Sequence, residues 1–124
     1  MKKKKIVIID DEKNFTLTVK LNLERTGRYE VETKNNGAKS LPFIKKIKPD
    51  LILLDLLMPG VGGDDVASQL KEDEDVKDIP VIFLTAAVTR NEASAKPSII
   101  GGRPFLAKPV STEELIACIE GHTG

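Results

Sequence analysis

A short run of four apolar residues constrains the fold of this chain more than any other feature. The run, Leu51 to Leu54, is bounded by turn-forming residues and ends at Asp55. Because it is short and lacks alternation, it is typical of a strand buried on both faces of a parallel sheet. Asp55 would then stand at the carboxyl end of the strand, which is the edge where open α/β sheets bind ligands. Taken alone, the same residue could simply begin a loop.

Three further apolar runs also end in polar or charged side chains. These runs are Ile6 to Ile9 before Asp10 and Asp11, Val81 to Leu84 before Thr85, and Phe105 to Ala107 before Lys108. Each predicts a buried strand, and a further strand is expected near Tyr29 to Thr33. Strand and helix alternate five times along the chain. This order predicts an α/β domain with a doubly wound, five-stranded parallel sheet and helices on both faces.

The segment from residue 12 to residue 26 is ambiguous by pattern alone. Its apolar residues alternate with polar ones, as in a half-buried strand: Phe15, Leu17, Val19, Leu21 and Leu23. A connection between two parallel strands must nevertheless cross over the sheet, and the crossover is usually a helix. We therefore predict a helix that ends before Gly27.

The remaining helices are predicted from their caps and breakers. After Asn35-Asn36-Gly37, a helix through Lys48 can hold Pro42 in its first turn if Ser40 caps it. A short helix is expected from Asp64 to Glu72. The sequence Ser111-Thr112-Glu113-Glu114 is a capping box that opens the last helix.

Length and charge limit the possible functions. The 124 residues suit one domain, 1–124, without a separate output domain. Nineteen basic and nineteen acidic side chains give zero net charge, which argues against nucleic acid or a membrane as partner. The chain has one cysteine and one histidine, so disulfides and a Cys/His zinc cluster are excluded. We expect a cytoplasmic protein.

The carboxyl ends of the predicted strands suggest a reaction. Asp10, Asp11, Asp55, Thr85 and Lys108 should converge at one edge of the sheet. Three adjacent carboxylates repel one another, and a hard divalent cation such as Mg²⁺ offsets that repulsion. With a reference pKa near ~4, the carboxylate of Asp55 should be ionised at neutral pH and able to attack phosphorus. Lys108 and Thr85 would bind the phosphoryl oxygens, so phosphoryl transfer to Asp55 is predicted.

These residues closely resemble the receiver domains of two-component response regulators. The matching stretches are Ile6 to Glu12, Asp50 to Asp55 with Met58-Pro59-Gly60 and Gly63, Leu84 to Ala86, and Phe105 to Pro109. They occur in the family's order and spacing over nearly the whole chain. The resemblance implies a flavodoxin-like receiver fold in a single-domain, chemotaxis-regulator-like protein of bacterial signalling.

The same resemblance implies roles for individual residues. Asp55 would accept a phosphoryl group from a histidine kinase or a histidine phosphotransfer protein. Asp10, Asp11 and Asp55 would hold Mg²⁺, with the backbone carbonyl of Leu57 as a further ligand. Thr85 and Lys108 would assist the reaction. No other cofactor is implied.

The resemblance also implies how the signal leaves the site. Thr85 and Phe105 would form the switch, and a cis Lys108-Pro109 bond is expected. Phosphorylation would alter the surface of the fourth helix, the last strand and the final helix, where an unknown downstream protein docks. The chain itself is expected to be a monomer or weak dimer. It is a phosphoacceptor regulator rather than an enzyme, although it assists its own phosphorylation and dephosphorylation.

Two departures from the family pattern stand out. Leu57 and Ala87 are apolar where other members carry polar or acidic groups that handle the hydrolytic water, which predicts slow self-dephosphorylation. The sequence Gly101-Gly102-Arg103-Pro104 replaces the usual Gly-Ala pair, and Pro97 falls where the fourth helix should end. A short or loosely held fourth helix is therefore expected.

Three alternative functions are weighed against phosphoryl transfer. A flavin binder would share the fold, but Asp10-Asp11 would repel a phosphate that arrived without metal. A phosphatase with an aspartate nucleophile would need a second acid where Leu57 stands, and usually a cap domain. A receiver-like binding module that is not phosphorylated is the third alternative and remains open.

Overall fold

The computed structural model describes residues 2–86, 98–100 and 103–123. Within these ranges the strands are β1 (Lys4–Ile9), β2 (Tyr29–Lys34), β3 (Leu51–Asp55), β4 (Val81–Thr85), β5 (Ser98–Ile100) and β6 (Arg103–Ala107). The helices are α1 (Lys13–Glu24), α2 (Ser40–Ile47), α3 (Gly63–Lys71) and α4 (Thr112–Thr123). No helix in these ranges is both long enough and apolar enough to cross a membrane.

The strands form one sheet in the order β2-β1-β3-β4-β6-β5. The first five strands of this order are parallel, which confirms the predicted five-stranded parallel sheet. The short β5 pairs antiparallel with β6 at the edge, and the sequence analysis did not predict it. A strand of three residues is too short to carry a readable pattern of apolar side chains.

Helices cover both faces of the sheet, as predicted. On one face, Val7 and Ile9 of β1 belong to a core that includes Ile44 of α2 and Val66 of α3. On the other face, Ile6 and Ile8 belong to a core with residues of α1 and α4. The central strands are therefore buried on both sides, which explains why their sequences are continuous apolar runs.

Helix α1 confirms the prediction made from the crossover. Its buried side chains include Val19 and Leu23, which are four residues apart and so lie on one helix face. Leu17 and Leu21 are 59% and 57% exposed, and these two leucines produced the alternating pattern. Gly27 follows the helix with φ of 78°, a conformation that glycine adopts without a steric penalty.

The start of α2 differs from the prediction. The N-cap is Lys39, in the left-handed conformation, and the predicted Ser40 cap is wrong because Ser40 is already helical. The Ser40 hydroxyl instead donates a hydrogen bond of 2.7 Å to the carbonyl of Gly37. Pro42 lies in the first turn as expected, where its missing N–H costs little.

The remaining helices confirm their predicted starts to within a residue. Helix α4 has the capping box, because the Ser111 amide donates to Glu114 Oε1 at 2.9 Å and the Glu114 amide donates to Ser111 Oγ at 3.1 Å. The Lys108-Pro109 bond is cis, as the resemblance implied. The helix predicted between β4 and the last strand lies outside the described residues, as do Ala87, Pro97 and Gly101-Gly102.

Candidate functional site

The register of the sheet brings Asp10 and Asp55 together. Ile9 of β1 pairs with Leu54 of β3, so Asp10, directly after β1, lies level with Asp55, the last residue of β3. Carboxylate oxygens of Asp10, Asp11 and Asp55 all lie within 4.8 Å of one another. Asp10 and Asp55 are buried, whereas Asp11 is exposed. Three acids at one strand edge therefore form a concentrated negative site.

Lys108 reaches this site from the neighbouring part of the sheet. Ala107 of β6 pairs with Thr85 of β4, and the Lys108 amide donates to the Thr85 carbonyl at 2.9 Å. The Lys108 Nζ lies 2.6 Å from Asp10 Oδ2 and 3.9 Å from Asp55 Oδ1. The predicted convergence of the three acids and the lysine is therefore seen in the structure.

Asp55 is not an ordinary ionised carboxylate in this environment. Burial and the charge of Asp10 raise the pKa of Asp55 to about 7, although the charge of Lys108 opposes the shift. Without a bound cation, a substantial fraction of Asp55 is thus protonated at neutral pH. The expectation of an ionised side chain used the reference pKa of an exposed residue, and in the metal-free site burial and Asp10 oppose ionisation.

Lys108 keeps its charge despite its position. Burial alone would lower the pKa of Lys108, but the hydrogen bonds with Asp10 and Glu12 and the charges of Asp10 and Asp55 outweigh it and raise the pKa. Its ammonium also lies 4.6 Å from the centre of the Phe15 ring, within the range of a cation–π interaction. The site therefore holds a permanent cation beside its acids.

The three acids have the donor chemistry that a hard cation requires. Asp10 Oδ2 is buried, and its partner among the described residues is the Lys108 ammonium, 2.6 Å away. Three carboxylates share the single lysine, so a further cation from solution would offset the negative charge that remains. Oxygen ligands from one or two carboxylates, completed by water and phosphate oxygens, are what Mg²⁺ prefers. The cluster therefore fits Mg²⁺.

Thr85 and Phe105 lie on the same face of the sheet. Phe83 of β4 pairs with Phe105 of β6, and both belong to the core shared with α2 and α3. Thr85 is two residues after Phe83, so its side chain projects to that same face. Thr85 is fully buried and Phe105 is 8% exposed. The two proposed switch residues thus lie on adjacent strands with both side chains inside.

The loop after β3 packs closely against Asp55. A Cβ added to Gly63 would lie 2.2 Å from the Asp55 carbonyl oxygen, a distance that no side chain tolerates. The Gly63 amide donates to the Leu56 carbonyl at 3.0 Å, which closes the loop. Leu57, in this loop, has a side chain that is 63% exposed. Gly63 is therefore required for the close approach of α3 to the site.

Sequence reasoning missed three supporting residues. The side-chain amide of Asn35 donates to the Asp10 carbonyl at 2.9 Å and to Thr16 Oγ1 at 3.0 Å. These bonds connect the end of β2 to Asp10 and to α1. Glu12 and Phe15 contact Lys108. Glu12 lies next to the acid pair in the sequence, and that adjacency was the one available signal.

Comparison with known proteins identifies a family over nearly the whole chain. The profile of the response regulator receiver domain matches residues 6–120. The chain is 37% identical to the DNA-binding dual master transcriptional regulator RpaA of Synechocystis over 91% of its length, and 38% identical to the phosphate regulon transcriptional regulatory protein PhoB of Pseudomonas aeruginosa over 92%. It spans about half of those relatives, 46% and 49% of their lengths.

A relative of matching length and two solved structures are also similar. The polar-differentiation response regulator DivK of Brucella anthropi is 34% identical over 100% of this chain and 98% of its own length. The chemotaxis protein CheY4 of Vibrio cholerae has a TM-score of 0.81 and 26% identity, covering 98% of this chain and 99% of its own. A response regulator of Desulfuromonas acetoxidans has a TM-score of 0.79 and 28% identity, covering 95% of this chain and 94% of its own.

Proposed function

Because the chain belongs to the response regulator receiver domain family of two-component signalling, we propose that it is a cytoplasmic phosphoacceptor and that Asp55 carries the phosphoryl group. The donor is a histidine kinase or a histidine phosphotransfer protein. The observation that carries the proposal is the meeting of three acids within 4.8 Å with a lysine 3.9 Å from Asp55. Receiver domains are phosphoacceptor regulators rather than conventional enzymes.

The reaction is a transfer between two side chains. A carboxylate oxygen of Asp55 attacks the phosphorus of a phosphohistidine, and an O–P bond forms as the N–P bond breaks. The imidazole nitrogen of the donor keeps the electron pair. Only the ionised carboxylate is a good nucleophile, and burial together with Asp10 disfavours that form. The transfer therefore requires additional positive charge at the site.

Asp10, Asp11 and Asp55 would hold Mg²⁺, with the main-chain carbonyl of Leu57 as a further ligand. When bound, Mg²⁺ supplies the charge that favours ionised Asp55 and offsets the charge of the phosphoryl oxygens. The Lys108 ammonium, 3.9 Å from Asp55 Oδ1, adds a second positive charge. Thr85, at the end of the adjacent β4, supplies a hydroxyl donor for the phosphoryl oxygens.

The phosphorylated form would act on another protein rather than on nucleic acid or a membrane. DivK matches this chain over nearly its full length, and the zero net charge offers no broad attraction to polyanions. We propose that the domain, residues 1–124, works as a monomer or weak dimer. It signals by docking or by passing the phosphoryl group onward. It also assists its own phosphorylation and dephosphorylation.

Mass spectrometry tests the phosphoacceptor directly. The protein is incubated with acetyl phosphate and Mg²⁺, and the intact mass should increase by one phosphoryl group. Asp55→Asn and a chelator should each abolish the increase. Asp78→Asn removes an exposed acid elsewhere and is the matched control that should label normally.

Two results would contradict the proposal. Labelling that persists in Asp55→Asn would assign the phosphoryl group to another residue. A wild-type protein that takes no label with Mg²⁺ would instead favour the receiver-like binding module.

A further inference from the structure

Lys108 is held by residues other than the proposed phosphoacceptor. Its Nζ lies 2.6 Å from Asp10 Oδ2 and 3.0 Å from Glu12 Oε1, but 3.9 Å from Asp55 Oδ1. An ammonium has three donors, and those directed at Asp10 and Glu12 cannot at the same time contact a group on Asp55. A third donor remains, but the two contacts hold Nζ 3.9 Å from Asp55 Oδ1, so the lysine must lengthen or release one of them to move closer to a group on Asp55.

Glu12 is fixed at its main chain, whereas its side chain is largely exposed. Its amide donates to Asp10 Oδ1 at 2.9 Å, and its carbonyl accepts from the Thr16 amide at 3.1 Å as α1 begins. Its side chain is 64% exposed, whereas that of Lys108 is only 12% exposed. The carboxylate therefore reaches the lysine from the solvent side of the site and can swing back into water at little cost.

We propose that Glu12 is a positioning residue that holds Lys108 in the unphosphorylated protein and competes with the incoming phosphoryl group for its ammonium. The inference rests on the proposed function of Asp55. Asp10 also holds Lys108, but Asp10 is a proposed metal ligand, and an oxygen that binds a cation is a poorer partner for the ammonium. Glu12 then remains as the competing anion, and it is one that the metal does not occupy.

This competition should slow phosphorylation by a modest factor. A partly exposed ion pair contributes up to about 1 kcal/mol, which corresponds to a change of up to roughly fivefold in a rate or equilibrium constant. Loss of the Glu12 carboxylate should therefore speed phosphoryl uptake by up to about fivefold. Lys108 itself would stay within reach of Asp55, because its main chain is bonded to Thr85 and its ammonium lies over Phe15.

Removing a negative charge near the site would also reduce the repulsion of an anionic phosphodonor. The test must therefore distinguish loss of the contact with Lys108 from loss of the negative charge. Glu12→Gln removes the charge. Glu12→Asp keeps the charge but shortens the side chain by one methylene, which takes it out of contact with Lys108. Glu30→Gln removes an exposed charge on β2 as the control. Initial labelling rates with acetyl phosphate are measured by intact mass at saturating Mg²⁺, with saturation of each variant established by calorimetry.

Both Glu12 variants should label faster than wild type, by up to about fivefold, and Glu30→Gln should match wild type. If Glu12→Asp labels at the wild-type rate while Glu12→Gln is faster, the effect is general repulsion and the inference is overturned. Unchanged or slower labelling in both variants also overturns it. If wild type itself takes no label, the proposed function has failed, and the inference fails with it.

Discussion

At the scale of single residues, the pKa of Asp55 predicts how cation binding depends on pH. Burial and Asp10 raise this pKa to about 7, so a proton competes with the cation at neutral pH. Below about pH 7, affinity for Mg²⁺ should fall by up to about tenfold per pH unit, because one proton must be displaced. Above pH 8 the affinity should level off.

Calorimetry at pH 6, 7 and 8 measures this dependence. Asp55→Asn removes the titrating group, so its weaker Mg²⁺ binding should vary less with pH. An affinity that is constant from pH 6 to pH 8 in the wild type would contradict the raised pKa.

The same pKa predicts that Asp55→Asn stabilises the metal-free protein. The folded pKa lies above the unfolded one, so the folded state binds the proton more tightly, and ionised Asp55 destabilises it. The penalty is largest above pH 7 and shrinks as the pH falls toward 4. At pH 8 with chelator, the variant should melt roughly 4 °C or more above wild type, which is about 1 kcal/mol for a domain of this length. The difference in melting temperature should be smaller at pH 5. A larger difference at pH 5 would contradict the raised pKa of Asp55 in the folded state.

The apolar side chain of Leu57 is expected to give the acyl phosphate on Asp55 a long lifetime. Its side chain is 63% exposed in the loop directly after Asp55 and has no polar atom to orient a water molecule. Leu57→Asn should therefore shorten the half-life of phosphorylated Asp55 by about twofold to tenfold, the effect of one hydrogen bond of about 0.5 to 1.5 kcal/mol that orients the attacking water. Leu57→Met is the control of similar volume. Decay can be followed by intact mass after the donor is removed, and equal decay of the two variants would exclude this cause of slow hydrolysis.

At the scale of elements, the junction between β3 and α3 depends on Gly63. A Cβ at this position would meet backbone atoms of Asp55 and Leu56 at 2.2 to 3.0 Å, and backbone cannot yield as a flexible side chain can. Gly63→Ala should lower the free energy of unfolding by about 1 to 3 kcal/mol and also slow labelling of Asp55. Gly121→Ala is the control, since a Cβ there meets nothing within 4 Å and helix propensity should favour alanine. Urea denaturation compares them, and equal stability of both variants would contradict the close packing.

The elements also show how far sequence reasoning could go. Four of the five parallel strands were predictable because they contain continuous apolar runs that the two-sided core requires, whereas β2 begins with alternating buried and exposed residues. Helix α1 was predictable only from the topology, because exposed Leu17 and Leu21 imitate a strand. The N-cap of α2 was not predictable, since Lys39 adopts a left-handed conformation that its residue type disfavours.

At the scale of the whole molecule, the site depends on contacts that no local pattern encodes. The hydrogen bond between Lys108 and Glu12 joins residues 96 positions apart, and Asp10 lies beside Asp55 through the register of β1 and β3. Parallel strands predict that such residues meet at one edge, which is why the acids and Lys108 were found from the sequence. Which of them touch, and at what distance, depends on packing of the complete sheet. The pairing of Lys108 with Glu12 therefore emerged only in three dimensions.

The sheet also provides a route by which phosphorylation could change a distant surface. Phosphorylation adds about 1.5 to 2 negative charges and three acceptor oxygens beside Thr85, whose hydroxyl is the donor proposed to turn toward them. Thr85 pairs with Ala107, and Phe105 lies on the same face two residues earlier. Movement of Thr85 would therefore alter the packing of Phe105 and of β6, which carries β5 at the edge of the sheet. A shift between two such arrangements needs only a few kcal/mol of differential contact.

We expect the largest phosphorylation-dependent change in amide hydrogen exchange within residues 86–106, which include β5 and most of β6. The helix that was predicted between β4 and β6 belongs to the same range but lies outside the described residues. Strand β2, at the opposite edge of the sheet, should change least and serves as the internal reference. Thr85→Ala should abolish the change while Asp55 still accepts phosphate, because the variant removes the hydroxyl and leaves the acids in place. A change that persists in Thr85→Ala, or one centred on residues 12–48, would show that the signal leaves the site by another route.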